Sequence, residues 1–156
     1  MPTAPFPPST QPAACRLLIV DDEVELLTVL SETLSREGFE VVGASSGSEA
    51  LEVLREQPVF DLLLTDLMMP GLDGLALLKA ALEIDPQLVG VMMTGQGTVQ
   101  TAVDAMKVGA FDYVLKPFKL SAMLPVLTRA MEARRLRVEN LQLRETVAIY
   151  ELAQTL

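Results

Sequence analysis

Residues 60–74, FDLLLTDLMMPGLDG, constrain the fold of this chain more strongly than any other stretch. The apolar run at 62–64 is too short for a buried helix, but it has the length of a strand that is covered on both faces. A loop with Pro70 and Gly74 follows Asp66, because proline removes a backbone donor and glycine adopts backbone shapes that other residues resist. The pattern therefore places Asp66 at the carboxyl end of a central strand, the edge where open parallel sheets bind ligands.

The same alternation of a short apolar run and a helical stripe recurs along the chain. The stripe at residues 25–37 repeats its leucines every three or four positions and ends at Gly38, a favourable helix terminator. Neighbouring parallel strands need crossover connections, which helices supply. We therefore predict a doubly wound α/β fold with a five-stranded parallel sheet. The other predicted strands are residues 17–20, 40–44, 88–93 and 112–115, and the other predicted helices cover residues 50–54, 75–84 and 99–108.

The composition indicates one domain with a substantial core and some additional chain, since half of the 156 residues are hydrophobic. Residues 1–14 are rich in proline and small polar side chains, which predicts a disordered leader rather than a secretory signal or a membrane span. The single cysteine, Cys15, cannot form an internal disulfide, and its position at the start of a strand favours packing over reactivity. These features indicate a reducing, cytoplasmic compartment.

Charge is unevenly distributed along the chain. Residues 1–115 carry 5 basic and 17 acidic side chains, whereas residues 116–156 carry 7 basic and 4 acidic ones. An acidic body is poorly suited to neutralising phosphates, so we predict no direct nucleic-acid binding by it. Arg134, Arg135 and Arg137 are interpreted as the solvated face of a helix, with contact to an acidic partner as the alternative.

Polar groups follow four of the five predicted strands: Asp21 and Asp22, Asp66, Thr94 and Lys116. Because these strand ends share one edge of a parallel sheet, their side chains can meet. Crowded carboxylates repel one another unless a cation joins them, and an oxygen-only donor set points to a hard divalent ion, Mg²⁺ first. Beside such an ion Asp66 can attack phosphorus, with Lys116 as the cationic partner and Thr94 as a hydrogen-bond donor.

The motifs around these positions resemble those of the receiver domain of two-component response regulators. They are VDDE at 20–23, TDLMMPGLDG at 65–74, MTGQG at 93–97 and DYVLKPF at 112–118, and the resemblance covers residues 15–128. It implies a flavodoxin-like strand order, 2-1-3-4-5. The stretch at 94–118 is most similar to regulators of the NtrC type.

The resemblance also implies a phosphoprotein that receives its phosphoryl group on Asp66 from a sensor histidine kinase or a phosphotransfer protein. It implies Mg²⁺ bound directly by Asp22 and Asp66, through water by Asp21, and by the backbone carbonyl of Met68. On this reading the protein is a signalling module and not an enzyme. Met68, like Gln96, occupies a position that tunes dephosphorylation and is not acidic here.

Two further features come with the resemblance. Thr94 and Tyr113 form a switch pair, in which Thr94 moves towards the phosphoryl group and Tyr113 turns into the space it leaves. From its own residues alone, Tyr113 is better explained as a core aromatic. Lys116–Pro117 is expected to be a cis peptide bond, which costs only about 0.5–1 kcal/mol at X-Pro.

A helical pattern continues from about residue 120 to the end of the chain. We interpret residues 129–156 as a parallel two-helix coiled coil that makes a homodimer and leads into an output domain, with folding back onto the body as the alternative. Pro125 is expected to kink this helix unless it lies in the first turn. Two seams compete: Leu124, Leu127, Met131, Val138, Leu141, Ala148 and Leu152 form one, and Leu136, Asn140, Leu143 and Val147 form the other.

Two alternative functions remain open at this point. The first is a Mg²⁺-dependent phosphotransferase or phosphatase acting on small molecules, which normally has a second carboxylate where this chain has Met68. The second is a receiver-like binding module that is never phosphorylated, which normally lacks one of the acidic or lysine residues that this chain retains.

Overall fold

The computed structural model describes residues 14–57, 59–95, 99–117 and 119–154, so the predicted leader, apart from Ala14, and Gln96 lie outside the described residues. Strands and helices alternate as predicted. The strands are β1 (Arg16–Val20), β2 (Glu40–Ala44), β3 (Leu62–Asp66), β4 (Val89–Thr94) and β5 (Asp112–Leu115). The helices are α1 (Val24–Arg36), α2 (Gly47–Glu56), α3 (Gly74–Ile84), α4 (Val99–Val108) and α5 (Leu120–Gln154).

The five strands form one parallel sheet in the order β2-β1-β3-β4-β5. This confirms the predicted fold class and the strand order that the resemblance implies. β3 lies at the centre between β1 and β4, and all five of its residues are buried. The strand that ends in Asp66 is therefore covered on both faces.

Successive side chains of each strand point to opposite faces of the sheet, so the core has two layers. On one face Leu17 and Leu64 pack with buried residues of α1 and α5, such as Leu30 and Leu127. On the other face Leu63 and its neighbours pack with α2, α3 and α4; the buried helical residues there are Ala50, Leu77, Leu78, Ala81 and Ala105. Helices thus cover both faces of the sheet.

Helix ends follow the turn chemistry of the sequence. The Ser46 hydroxyl accepts a hydrogen bond from the Glu49 N–H at the start of α2, and the Asp73 carboxylate accepts one from the Ala76 N–H at the start of α3. Gly38, just after α1, has φ +100°, a conformation that glycine adopts without steric cost.

The last helix, α5, is a single element of 35 residues with Pro125 inside it, beyond the first turn. Its first part packs against the body through residues that include Leu127, which is fully buried. Residues 142–154 are exposed, so the structure does not show this part of the tail folded back on the body. Among the described residues, no helix is both long and apolar enough to cross a membrane.

The interpretation of the tail arginines as a solvated face is wrong for Arg134, which is only 8% exposed. Its guanidinium group lies 3.4 Å from an Asp61 oxygen and 3.2 Å from an Asp85 oxygen. Arg137 is half-buried and donates a hydrogen bond to the Leu88 carbonyl at 2.8 Å. The acidic partner of Arg134 is therefore the chain's own body, because a buried cation requires paired groups.

Candidate functional site

The carboxyl ends of four strands meet at one edge of the sheet. Val20, the last residue of β1, pairs with Thr65 of β3, and Asp66 pairs with Met93 of β4. Thr94 pairs with Leu115, the last residue of β5. This register brings together groups that lie almost a hundred positions apart in the sequence, as the strand-end pattern predicted.

Three carboxylates cluster at this edge. Asp21, Asp22 and Asp66 each offer one oxygen, and these oxygens lie within 4.8 Å of one another. Asp21 and Asp66 are buried, whereas Asp22 is exposed, so the cluster opens towards solvent on the Asp22 side. The donor set contains oxygen alone, which fits a hard divalent cation such as Mg²⁺.

The Lys116 amine bridges two of these carboxylates. Its Nζ atom lies 2.7 Å from Asp21 Oδ2 and 3.3 Å from Asp66 Oδ2. The backbone N–H of Lys116 donates a 2.7 Å hydrogen bond to the Thr94 carbonyl, and the Lys116–Pro117 bond is cis, as the resemblance implies. The end of β5 thus directs the amine into the acidic cluster.

The pKa values of Asp66 and Lys116 are both raised from their ordinary values. Burial raises the pKa of Asp66, and the charge of Asp21 adds to this; the Lys116 charge and a hydrogen bond from the Met68 N–H act in the opposite direction. Burial lowers the pKa of Lys116, but the hydrogen bond to Asp21 and the charges of Asp66 and Asp21 outweigh it, so this pKa is raised. The amine therefore stays charged, while the carboxylates gain from an additional cation.

The loop after β3 brings backbone close to Asp66. A Cβ atom added at Gly74 would lie 2.3 Å from the Asp66 carbonyl oxygen, a distance that no side chain tolerates. Glycine at this position therefore lets the start of α3 pack against the strand end. The Met68 side chain in the same loop is 74% exposed, which leaves one apolar group at the mouth of the site.

The predicted switch residues occupy β4 and β5. Thr94 is buried at the end of β4, one position beyond the residue that pairs with Asp66. Tyr113 on β5 is 38% exposed and is not a core aromatic in this structure. The explanation of Tyr113 from its residues alone is therefore wrong.

A second charged cluster, at the opposite edge of the sheet, was missed by sequence reasoning. Asp61 precedes β3 and Asp85 lies in the turn before β4, and both pair with Arg134 of α5. The signal was present, because carboxylates just before two neighbouring parallel strands share an edge in the same way as those just after them. This cluster anchors α5 to the body.

Comparisons with known proteins agree with this architecture. The model of the response regulator receiver domain family matches residues 17–128. The chain therefore belongs to the family of response regulator receiver domains of two-component systems.

The relatives with similar sequences include regulators named NtrX and DctD. A putative NtrX-like response regulator of Rickettsia conorii is 38% identical over 133 residues, which are 84% of this chain and 28% of that protein. The C4-dicarboxylate transport regulator DctD of Rhizobium meliloti is 38% identical over 132 residues, 85% of this chain and 28% of that protein. The crystal structure of NtrX from Brucella abortus superposes with a TM-score of 0.77 at 37% identity, covering 83% of this chain and 29% of that one. This chain thus spans less than a third of the length of these relatives.

Proposed function

We propose that this receiver accepts a phosphoryl group on Asp66 from a phosphohistidine of a sensor histidine kinase or a phosphotransfer protein. One observation carries the proposal: the Lys116 amine contacts both Asp21 and Asp66 beside a cluster of three carboxylates. A carboxylate that attacks a phosphoryl group needs compensation for its own charge and for the incoming charge. The site supplies part of that compensation through Lys116 and offers oxygens to a cation that supplies the rest.

The carboxylates fit Mg²⁺ as the cofactor, with Asp22 and Asp66 as direct ligands together with the Met68 carbonyl. Asp21 is assigned to a water-mediated position because both of its oxygens are already engaged, one by the Glu23 N–H at 2.9 Å and the other by Lys116. When bound, Mg²⁺ screens the repulsion between the acceptor carboxylate and the phosphoryl oxygens. The exposed Asp22 is the ligand that a cation entering from solvent meets first.

Phosphoryl transfer then forms a bond from an Asp66 oxygen to phosphorus while the phosphorus–nitrogen bond of the donor breaks. The donor imidazole leaves with the electron pair of that bond. Lys116 stays protonated and stabilises the charge on the transferred oxygens, and the Thr94 hydroxyl donates a hydrogen bond to one of them. No proton has to move at Asp66, because the ionised carboxylate is the nucleophile.

The switch follows from the added charge. A phosphoryl group adds roughly 1.5–2 negative charges and three strong acceptor oxygens. Thr94 moves towards these oxygens, and the half-exposed Tyr113 turns into the space it leaves, which favours one of two pre-existing surfaces of β4, α4 and β5. The surface reaches α5, because Arg129 of α5 pairs with Asp112 of β5 at 3.2 Å.

The proposed dimer and output domain are supported by the exposure of α5 and by the greater length of the related regulators. The exposed second half of α5 forms a homodimer with a second copy and leads into an output domain, as expected for a chain that spans under a third of its relatives. A small-molecule phosphotransferase is disfavoured because the exposed Met68 offers no acid or base beside Asp66. We place the protein in the cytoplasm as a signalling module and not as an enzyme.

Beryllofluoride with Mg²⁺, a mimic of the phosphoryl group, tests this function. The proposal predicts that the wild-type chain shows altered hydrogen exchange in β4, β5 and the start of α5, and that Asp66→Ala shows none of these changes. Glu52→Gln, an exposed site on α2, serves as the matched control and should respond like the wild type. A wild-type chain whose exchange pattern is unchanged would instead support a binding module that is never phosphorylated.

A further inference from the structure

We propose that a second copy of this chain pairs with α5 in a parallel, in-register coiled coil along Leu136, Asn140, Leu143, Val147 and Tyr150. The inference rests on the dimerisation in the proposed function and adds the face, the direction and the register of the pairing. We call these five residues the outer seam.

The first argument is that the body occupies the opposite face of α5. Arg134 is held by Asp61 and Asp85, and Arg137 donates to the Leu88 carbonyl. One turn further on, Val138 and Leu141 line a cleft between α5 and the body; its other lining residues include Leu54, Val59, Phe60, Ile84 and Leu88. As far as Leu141, a second helix cannot pack on this face without displacing the body.

The outer seam, in contrast, lies entirely in solvent. Its apolar members Leu136, Leu143, Val147 and Tyr150 expose between 52% and 64% of their surface. The apolar side chains of the outer seam are therefore accessible to a partner helix.

The residue types on the outer seam specify a two-stranded parallel arrangement. The spacing of four, three, four and three residues places Asn140 and Val147 at the a positions of a heptad, and Leu136, Leu143 and Tyr150 at the d positions. A β-branched residue at a with leucine at d favours two parallel strands, and a single asparagine at an a position fixes register and oligomeric state. An antiparallel pairing would place the Asn140 amide opposite an apolar side chain, where it lacks a matching partner.

The flanking charges agree with the same register. Glu139 occupies a g position and Arg144 the e position five residues later. In a parallel pair, Glu139 faces the partner's Arg144, and these opposite charges favour this alignment over others. The symmetry of the dimer makes the contact twice.

The competing seam lacks these features. Continued from Val138 and Leu141, it places Glu145 and Ala148 at core positions before Leu152. A glutamate in a coiled-coil core is costly because its charge loses water without gaining a partner, and alanine fills little of the space. The start of this seam is also covered by the body, as described above.

Cysteine cross-linking distinguishes the two seams. In the 156-residue chain with Cys15→Ala, Leu136→Cys and Leu143→Cys place identical residues opposite each other, whereas the control variants Leu141→Cys and Ala148→Cys point away from the partner. Under mild oxidation, with and without Mg²⁺ and beryllofluoride, the outer-seam variants should form disulfide-linked dimers several-fold faster in at least one condition. Equal or faster cross-linking of the controls, or no cross-linking of any variant, overturns the proposal.

A second measurement tests the role of Asn140. Sedimentation of Asn140→Val should show species larger than dimers beside the dimer, because the polar residue that restricts the oligomeric state has been removed. Gln142→Val, at an exposed position outside the seam, is the control and should sediment like the wild type. An Asn140→Val chain that sediments like the control contradicts the register.

Failure of this inference is separable from failure of the proposed function. The same variants are exposed to a phosphoryl donor with Mg²⁺, and the mass of each chain reports uptake on Asp66. Uptake without outer-seam cross-links counts against the seam alone. Cross-links without uptake count against the phosphoryl chemistry alone.

Discussion

The Nζ atom of Lys116 lies 2.7 Å from Oδ2 of Asp21, a residue 95 positions earlier in the chain. Asp21 is fully buried, and Lys116 is its cationic partner. The pair joins the ends of β1 and β5 across the end of β3, where Asp66 lies. It therefore contributes both to the stability of the sheet edge and to the charge of the candidate site.

Removing the amine tests this double role. Lys116→Met leaves the Asp21 charge buried and uncompensated, so we expect the free energy of unfolding to fall by about 3 kcal/mol in metal-free buffer. Phosphoryl uptake should be lost as well, because the transferred oxygens lose their cationic contact. Urea unfolding measures the first effect, and Lys119→Gln, an exposed neighbour, should match the wild type in both assays.

Mg²⁺ should stabilise the folded chain through the three carboxylates. At a concentration one hundred times its Kd, Mg²⁺ raises the free energy of unfolding by about 2.7 kcal/mol if it binds only the folded state. Thermal unfolding with Mg²⁺ or with a chelator measures the shift. Asp66→Ala and Asp22→Ala should reduce it strongly, and a wild-type shift that survives both substitutions would place the ion elsewhere.

The pKa of Asp66 predicts a dependence on pH without metal. Because burial, its main cause, raises this pKa in the folded state, the contribution of Asp66 to stability is fully present below the unfolded pKa and is lost as pH rises through the folded pKa. In chelator at pH 7, Asp66→Asn should therefore unfold at a higher temperature than the wild type, and the difference should shrink at pH 3. A variant that is less stable than the wild type at pH 7 would show that the ionised carboxylate is favoured by the fold.

The Arg134 anchor should hold α5 on the body. Arg134→Met removes both of its ion pairs and leaves Asp61 and Asp85 partly buried, so we expect a loss of about 1–3 kcal/mol in the free energy of unfolding. Hydrogen exchange in α5 beyond residue 130 should also accelerate. Arg135→Met is the matched control, because Arg135 is exposed and pairs with Glu132 and Glu139 of its own helix. Exchange that is equally fast in both variants would argue against an anchor.

The sheet edge could be predicted from the sequence because parallel topology turns strand ends into neighbours. Asp21, Asp66, Thr94 and Lys116 each follow an apolar run in the sequence. This pattern was sufficient to predict that the side chains of Asp21, Asp66 and Lys116 cluster, as the structure shows. Local patterns also located the end of α1 at Gly38 and the loop after Asp66. Such features could be predicted because they depend on residues that are close together in the sequence.

Other features depend on contacts between elements that are distant in the sequence. The burial of Arg134 could not be predicted from helical periodicity, because its partners Asp61 and Asp85 lie 73 and 49 positions away and at the opposite edge of the sheet from the acidic cluster. The exposure of Tyr113 agrees with the position of β5 at the edge of the sheet, which periodicity does not reveal. The proposed choice between the two α5 seams likewise depends on which face of α5 the body covers.

The most direct test of the central claim is the site and metal dependence of phosphoryl uptake. The intact chain is incubated with acetyl phosphate or phosphoramidate, with Mg²⁺ or with chelator, and peptide mass mapping locates the modified residue. The account predicts the addition of one phosphoryl group on Asp66 that requires Mg²⁺ and is absent in Asp66→Asn. Modification of another residue in the wild type, or uptake by Asp66→Asn equal to that of the wild type, would contradict it.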